Sequence, residues 1–594
     1  MFVGCVALAT SCDLTENVQV KADKSMIFGS KSGLELYSNS FYKALPTLKN
    51  GFMQDKMCDV GAVSNTDTFI KQGAYNTETA TSWSWGALKN INYFIDGCND
   101  PKYCTVDDNT RDNYLGIARW FRAWFYYDKL TTYGEVPWFP HDIQSYQNDV
   151  MYKDRDSRDV IIRNLIADLD FAYEHIQATS STGSSTLTRW AAAALKSRVC
   201  LFEAAYRRYH NLTELEITPE ELYREAAKAA KLVIDNSGCS LNTATGKKGA
   251  YRDLFYNETP LTQEVILAVC ANEKSGIFGE QNWWFNARSY GLCWSLVRSF
   301  VHTYLKLDGT PFTDAADYAV KSFTEEMEGR DLRLEQTVRG RNFLWDGKTA
   351  VADIKNLSLT GYQVIKYTLD ESKYDGGAKN INSIPLIRYA EVLLNYAEAQ
   401  AELGVITDSE WALTVGALRK RAGITGGTET LPTTVDGYLQ RTFYPDVTSP
   451  VLLEIRRERA IELVAEGMRF DDLRRWKCGS LMETLPWSGI HIPGLEQPVD
   501  VNGDGVDDYY FTEGEVTAAP AAYRNIAIRV NQDGVGLYAE ANAVAGYDLV
   551  YKTGAGDRYW YPDGRQYLYP IPAKVIRDYK NAGYTISNPY WDNE

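Results

Sequence analysis

The sequence predicts a mainly α protein: a tetratricopeptide-like scaffold of helical pairs that carries a loop-rich, irregular second lobe. Three observations predict it. Apolar residues recur at helical spacing in several segments that follow one another across short connections. Alanine stripes on those segments leave room for close stacking, with Tyr and Leu as the ridges. Between and after them lie long stretches rich in Gly, Asn, Asp, Tyr and Trp, with only short β-like runs.

Residues 110–132 hold no Pro and one Gly and read as a long aromatic-rich helix. In residues 156–177, Val160, Leu165, Leu169, Tyr173 and Ile176 fall on one face. Residues 188–209 are Ala-rich, with Thr188 as the N-cap. Thr218-Pro219-Glu220-Glu221 is a capping box with Pro at the first helical position, opening a helix to about Asp235. Residues 385–403 put Ile387, Ala390, Leu394, Ala397 and Ala401 on a stripe. Thr407-Asp408-Ser409-Glu410 opens a helix to about Ala422, and a charged helix spans residues 449–466. The scaffold thus covers about 85–240 and 385–480. The stretches of about 240–384 and 480–570 are too long for bare connectors and read as insertions, where binding residues concentrate.

Composition excludes several classes. Among 594 residues, 62 Lys+Arg stand against 78 Asp+Glu, a net charge of −16 that argues against a nucleic-acid partner. With 45% hydrophobic residues the chain is not disordered. The five His form no His-Glu-x-x-His pair, no Gly-x-Ser-x-Gly elbow is present, and neither Gly246-Lys247-Lys248-Gly249 nor Gly554-Ala555-Gly556 completes a nucleotide loop. The ten Cys show no Cys-x-x-Cys; Cys98 and Cys104 lie near enough to bridge, but free buried thiols are the expected state. A glycosidase carboxylate pair cannot be read from spacing, so that reading stays open. The aromatic content, 40 Tyr and 15 Trp, points instead to a binding surface.

Residues 1–11 read as a lipoprotein signal. Met1–Thr10 is a short apolar run, and Ala9-Thr10-Ser11 precedes Cys12, the expected site of cleavage and lipid attachment, although no Lys or Arg precedes the run.

Six blocks in order carry a family resemblance. They are Trp85 to Asn92; Tyr114 to Trp124 with Tyr133-Gly134 and Val136-Pro137; Arg189 to Arg198; Ile384 to Ala399; Glu458 to Trp476; and Tyr569-Pro570-Ile571-Pro572. Together they resemble the SusD/RagB family of surface glycan-binding lipoproteins. The resemblance extends over residues 12–594. It implies non-catalytic capture of an oligo- or polysaccharide at the outer membrane, through a lipid anchor, and delivery to a SusC-like TonB-dependent transporter. The rivals are a glycoside hydrolase with an undetected carboxylate pair and a tetratricopeptide-type interaction scaffold.

Most of the block residues read as structural. Glu458, Glu462, Glu466, Arg469, Asp472 and Arg475 mix both signs along a helix and its exit, as an ion-pair network locking two helices would. Sugar rings ask for flat aromatic platforms flanked by amide, carboxylate and guanidinium groups. The resemblance places ligand sites near Trp83-Ser84-Trp85, with Asp67 close by, and near Gln281 to Trp294. The expected glycan-binding residues are Asp67, Trp85, Asn282, Trp283, Trp284, Arg288, Tyr290 and Trp294. A second chemical pattern is Asp500-Val501-Asn502-Gly503-Asp504-Gly505-Val506-Asp507-Asp508, the first half of a calcium loop. Phe511 stands where the bidentate Glu belongs, so a structural calcium ion there would take Asp500, Asn502, Asp504, the Val506 carbonyl and Asp508.

Overall fold

The computed structural model describes residues 24–144, 146–286, 293–552 and 557–591. The scaffold is built from α1 (Gly86–Cys98), α2 (Asp108–Tyr133), α3 (Arg158–His175), α4 (Arg189–Tyr209) and α5 (Pro219–Asn236). All but α1 start where the sequence supplies a side-chain partner for a free N–H group. Asp107, Ser157, Thr188 and Thr218 cap the last four, and Thr218 and Glu221 form the expected capping box. Helices α2 and α3 pack as a pair, as do α4 and α5, with α3 on α4. The Ala residues at positions 191 to 194 are buried, which is what lets α4 approach its neighbours on several sides. The fold is therefore the mainly α, helical-pair architecture that the sequence predicts.

After α5 the chain leaves the stack, passes through the short helix α6 (Gln281–Asn286), and returns as α7 (Tyr389–Glu402), which packs directly on α5. The return is fixed by an antiparallel ladder in which β1 (Val265–Val269) pairs with β2 (Ile384–Arg388). The first and last strands of the excursion lie side by side, so the stack continues as if uninterrupted. Two three-stranded sheets follow in the C-terminal third. One runs β7 (Leu537–Ala541), β8 (Tyr547–Tyr551), β3 (Ser488–Ile492); the other runs β6 (Ala527–Arg529), β5 (Tyr509–Thr512), β4 (Pro498–Val499).

Two helix boundaries differ from expectation. The helix expected to run from Thr407 to Ala422 is broken at Thr414 into α8 (Asp408–Leu413) and α9 (Val415–Arg421). The Thr414 hydroxyl donates to the Glu410 carbonyl (2.7 Å), a local bond that competes with the helical ladder. The helix expected over 449–466 ends at Glu462 as α10 (Pro450–Glu462); Ala465 and Gly467 then take positive φ (64° and 82°), and α11 (Arg469–Arg475) begins.

That turn organises the buried charge. Glu462 receives Arg388 (2.6 Å), Arg421 (2.5 Å) and Arg333 (2.8 Å); Glu264 shares Arg388 and Arg421, and Glu466 joins Arg388 to Lys366. Arg459 and Arg475 meet at Asp472, while Arg469 pairs with Asp59 (2.7 Å). The network is thus wider than two helices. It ties α10 and α11 to β2, α9 and the loops of the irregular lobe. Burial alone would raise the Glu462 pKa, but the guanidiniums of Arg421, Arg388 and Arg333 outweigh it and hold the carboxyl well below the ordinary range. Cys98 and Cys104 are free thiols.

Candidate functional site

Residues 81–85 run without regular structure into α1, and residues 82–85 present alternate side chains to two different cavities. Ser82 and Ser84 face one cavity of about 640 Å³; Trp83 and Trp85 face another of about 540 Å³. The two expected residues Asp67 and Trp85 therefore sit in neighbouring cavities with this segment as the partition.

The Trp83/Trp85 cavity is walled by aromatic rings. Trp83 meets Trp85 edge-on (5.3 Å) and Tyr133 likewise (4.9 Å), and Trp85 meets Phe139 (5.2 Å). Both Trp remain half-buried, so each keeps a surface toward the cavity. The Phe139 wall is held by residues of the early blocks. Asn92 Nδ2 donates to the carbonyls of Phe139 (2.7 Å) and His141 (3.1 Å). Arg122, paired twice with Asp168 at 2.7 Å, donates to the Pro140 carbonyl (3.1 Å). The Tyr126 hydroxyl accepts from Phe139 N (2.7 Å) and donates to the Pro137 carbonyl (3.2 Å). The block residues Asn92 and Arg122, with Tyr126, act on the site through the loop they fix.

The opposite wall comes from the C-terminal helix α12 (Ala573–Asn581), which contributes Lys574, Val575, Asp578 and Tyr579. Tyr579 meets Tyr152 edge-on (5.1 Å), and Tyr152 stacks on Tyr584 (5.6 Å). The closing block sets this helix in place: Tyr569 N donates to the Thr132 carbonyl (2.7 Å), the Tyr569 ring stacks on Phe69 (3.9 Å), and Ala573 N donates to the Thr77 carbonyl (2.8 Å). At the rim, His141 Nδ1 lies 2.8 Å from Asp96. Tyr146, two positions after the rim residue Gln144, is 80% exposed.

The larger cavity is polar. Asp67 caps the turn Thr68–Ile70 by accepting from Phe69 N (3.0 Å) and pairs with Lys56 (3.3 Å). Asp128 lies 3.6 Å from Lys129, and Asp471 pairs with Arg474. Its floor around Gly467 is clamped by the buried Asp55, which accepts from Gly467 N (3.0 Å) and Arg469 N (3.1 Å); burial pushes this carboxyl up to about 7. A third cavity of about 480 Å³ shares Asn50, Asp128, Thr131, Gly467 and Asp471 with it.

The described members of the Gln281–Trp294 cluster do not line these cavities, and two of them are core residues. Asn282 is fully buried, and its amide is spent inside the irregular lobe: it donates to the Leu369 carbonyl (2.8 Å) and accepts from Leu369 N (2.8 Å) and Asn380 Nδ2 (2.7 Å). Trp294 is 3% exposed and packs so closely on Gly61 that a Cβ there would lie 2.3 Å from the indole. Neither offers a face to a ligand. An irregular lobe still needs a core and partners for its buried backbone, and these two residues supply them. Trp283 and Trp284 are half-buried, and Trp284 Nε1 donates to Glu280 (3.2 Å). Arg288, Tyr290 and Cys12 lie outside the described residues.

In the 500–508 loop the side chains serve the loop itself. Asp500 accepts from Gly503 N (2.7 Å) and Gly505 N (2.8 Å), Asn502 from Asp504 N (3.1 Å), Asp504 from Val506 N (2.9 Å), and Asp508 from Val501 N (2.8 Å). Among the described residues no three His, Cys, Asp or Glu are gathered as a ligand set.

Phe139, Tyr152 and Tyr579 are wall residues that the sequence reading missed; Trp83 was noticed only as a neighbour of Trp85. A helical stack flanked by open cavities, one of them walled by aromatic rings, has the architecture of a binding protein. Comparison with known proteins narrows this class. The profile of the SusD family matches residues 263–591, more than half of the chain, and the chain belongs to that family. It is 25% identical over 378 residues to the SusD-like protein P38 of Formosa agariphila, spanning 61% of this chain and 66% of that one. Among solved structures, it is similar to a SusD-like carbohydrate binding protein of Bacteroides fragilis (TM-score 0.66, 18% identity, covering 94% and 99% of the two chains). Another SusD-like protein of the same organism gives a TM-score of 0.64 at 20% identity, covering 96% and 98%.

Proposed function

We propose that this protein captures a glycan without cleaving it, at the bacterial outer surface, and hands it to a SusC-like TonB-dependent transporter. The observation that carries the reading is the Trp83/Trp85 cavity. It presents flat apolar rings to the C–H faces of a sugar, and a rim of Lys89, His141, Gln144, Lys574 and Asp578 to its hydroxyls. The carbohydrate-binding relative of the same fold is consistent with it. A hydrolase would need two carboxyl groups flanking the bond to be broken. Among the described residues Asp578 is the one carboxylate lining the aromatic cavity, and the three named above in the polar cavity each face a cation. The test is to incubate the protein with oligosaccharides: binding with no new reducing ends supports capture, new ends support the hydrolase, and no binding supports a pure interaction scaffold.

Outer-membrane location is proposed through a lipid on Cys12. Among the described residues no helix is long and apolar enough to span a membrane. Cys12→Ala is expected to move the protein from the membrane to the soluble fraction, since stable anchoring needs the lipid chains. Retention of the variant in cells lacking the transporter would count against the anchor. A calcium ion at Asp500, Asn502, Asp504, Val506 and Asp508 is likewise a proposal. Chelation is then expected to lower the melting temperature, reflecting about 3 kcal/mol at a hundredfold excess of ion over its Kd. Asp504→Ala should remove that sensitivity, and melting indifferent to chelator would leave the loop an ordinary turn.

A further inference from the structure

We infer that the glycan taken by the Trp83/Trp85 cavity is anionic, an oligosaccharide bearing carboxylate or sulfate groups. The inference rests on the glycan reading of this cavity and adds the charge of its ligand.

The chain as a whole carries −16, so its average surface repels an anion. The mouth of this cavity runs against that average. Lys89 enters from α1 and Lys574 from α12, against Asp578, the one carboxylate among the described residues that line the cavity; His141 lines it from the loop between α2 and α3. Lys89 is exposed, and no ion pair ties it among the described residues. Lys574 is 83% exposed in its side chain and stands 3.7 Å from Asp578, an exposed pair that water screens and that leaves the ammonium open to a competitor. The imidazole of His141 is held by Asp96, which also accepts from Asp142 N (2.8 Å), so His141 is matched by a carboxylate and the positive character of the mouth rests on the two lysines.

The backbone adds to the same sign. Both α1 and α12 begin near this cavity: α1 at Trp85-Gly86, and α12 at Ala573, whose N–H is taken by the Thr77 carbonyl and whose next residues Lys574 and Val575 line the cavity. Neither start is closed by a side-chain cap, and neither has an acidic residue in its first turn. The partial positive ends of two helices, of thirteen and nine residues, thus add to two lysines around aromatic walls. The adjoining polar cavity shows the contrast: Asp67, Asp128 and Asp471 are matched there by Lys56, Lys129 and Arg474.

The test uses oligosaccharides in matched charged and neutral forms: oligogalacturonides with their full methyl esters, and sulfated galactan oligosaccharides with their desulfated forms. Neutral malto- and xylo-oligosaccharides complete the panel. Calorimetry on the full chain is expected to find at least one charged form binding about tenfold or more above its neutral twin at low salt, with the gap closing as salt rises. The Lys89→Gln/Lys574→Gln variant, altered only at exposed side chains, should melt like the parent and lose the charge preference. Which pair responds distinguishes carboxylate from sulfate. Neutral forms binding as tightly as charged ones, or a preference that survives in the double variant, overturns the inference and leaves the glycan reading intact. Absence of binding by every oligosaccharide overturns both.

Discussion

Glu462→Gln is expected to destabilise the protein by about 3–5 kcal/mol, a large share of the roughly 5–15 kcal/mol by which domains are stable. Three guanidiniums, those of Arg333, Arg388 and Arg421, converge on this one buried carboxylate. A neutral amide of the same shape leaves their charge uncompensated in a site from which water is excluded. Glu264, Glu458 and Glu466 stay in place and limit the loss without replacing the missing charge. The measurement is the denaturant midpoint, with Asp235→Asn as the comparison. Asp235 pairs with Lys231 at the surface of α5, and its loss should cost under about 1 kcal/mol. If the two variants cost the same, the buried network is not what joins the stack to the irregular lobe.

The second large effect concerns binding. Trp85→Ala is expected to weaken glycan affinity about thirtyfold, roughly 2 kcal/mol, while the protein still melts as a folded species. Stacking area is concentrated in a few rings, so Trp83→Ala should act similarly. Trp294→Ala should behave in the opposite sense. Its ring fills the space against Gly61 and Phe285, so truncation should cost about 3–5 kcal/mol of stability and leave the affinity of the folded fraction unchanged. Calorimetry paired with thermal melting reads both. A Trp294 variant that folds normally and loses affinity, beside a Trp85 variant that binds like the parent, would exchange the two assignments.

The contrast between these two tryptophans shows where sequence reasoning reached and where it stopped. Helix starts were legible because Thr188, Thr218 and Thr407 carry their chemistry locally, in a capping hydroxyl that Thr218 and Thr407 pair with a carboxylate three residues on. The break at Thr414 was not, because a Thr inside a helical pattern reads the same whether its hydroxyl faces water or the preceding turn. Charge alternation in 458–475 foretold a network, but its partners Glu264, Arg333, Lys366, Arg388 and Arg421 come from distant segments that only the fold brings together. The site divides in the same way. Trp83 and Trp85 stand in a polar, irregular stretch and can be noticed there. Tyr579 lies more than 490 positions away in a short helix with no motif of its own, and Phe139 depends on a loop pinned by Asn92, Arg122 and Tyr126. Three Trp in a loop-rich segment resembled a surface platform. One of them is core, because loops long enough to form a lobe must bury something.

The claim at the centre of this account is capture without cleavage at the Trp83/Trp85 cavity. The most direct measurement is a calorimetric titration of the parent and of the Trp83→Ala/Trp85→Ala variant with an oligosaccharide that the parent binds, followed by an assay of the same solutions for new reducing ends. The account predicts a Kd on the order of micromolar to millimolar for the parent, about −8 to −4 kcal/mol, no new reducing ends, and no measurable binding by a double variant that remains folded. A folded double variant that binds as the parent does, or reducing ends that accumulate with the parent, would contradict it.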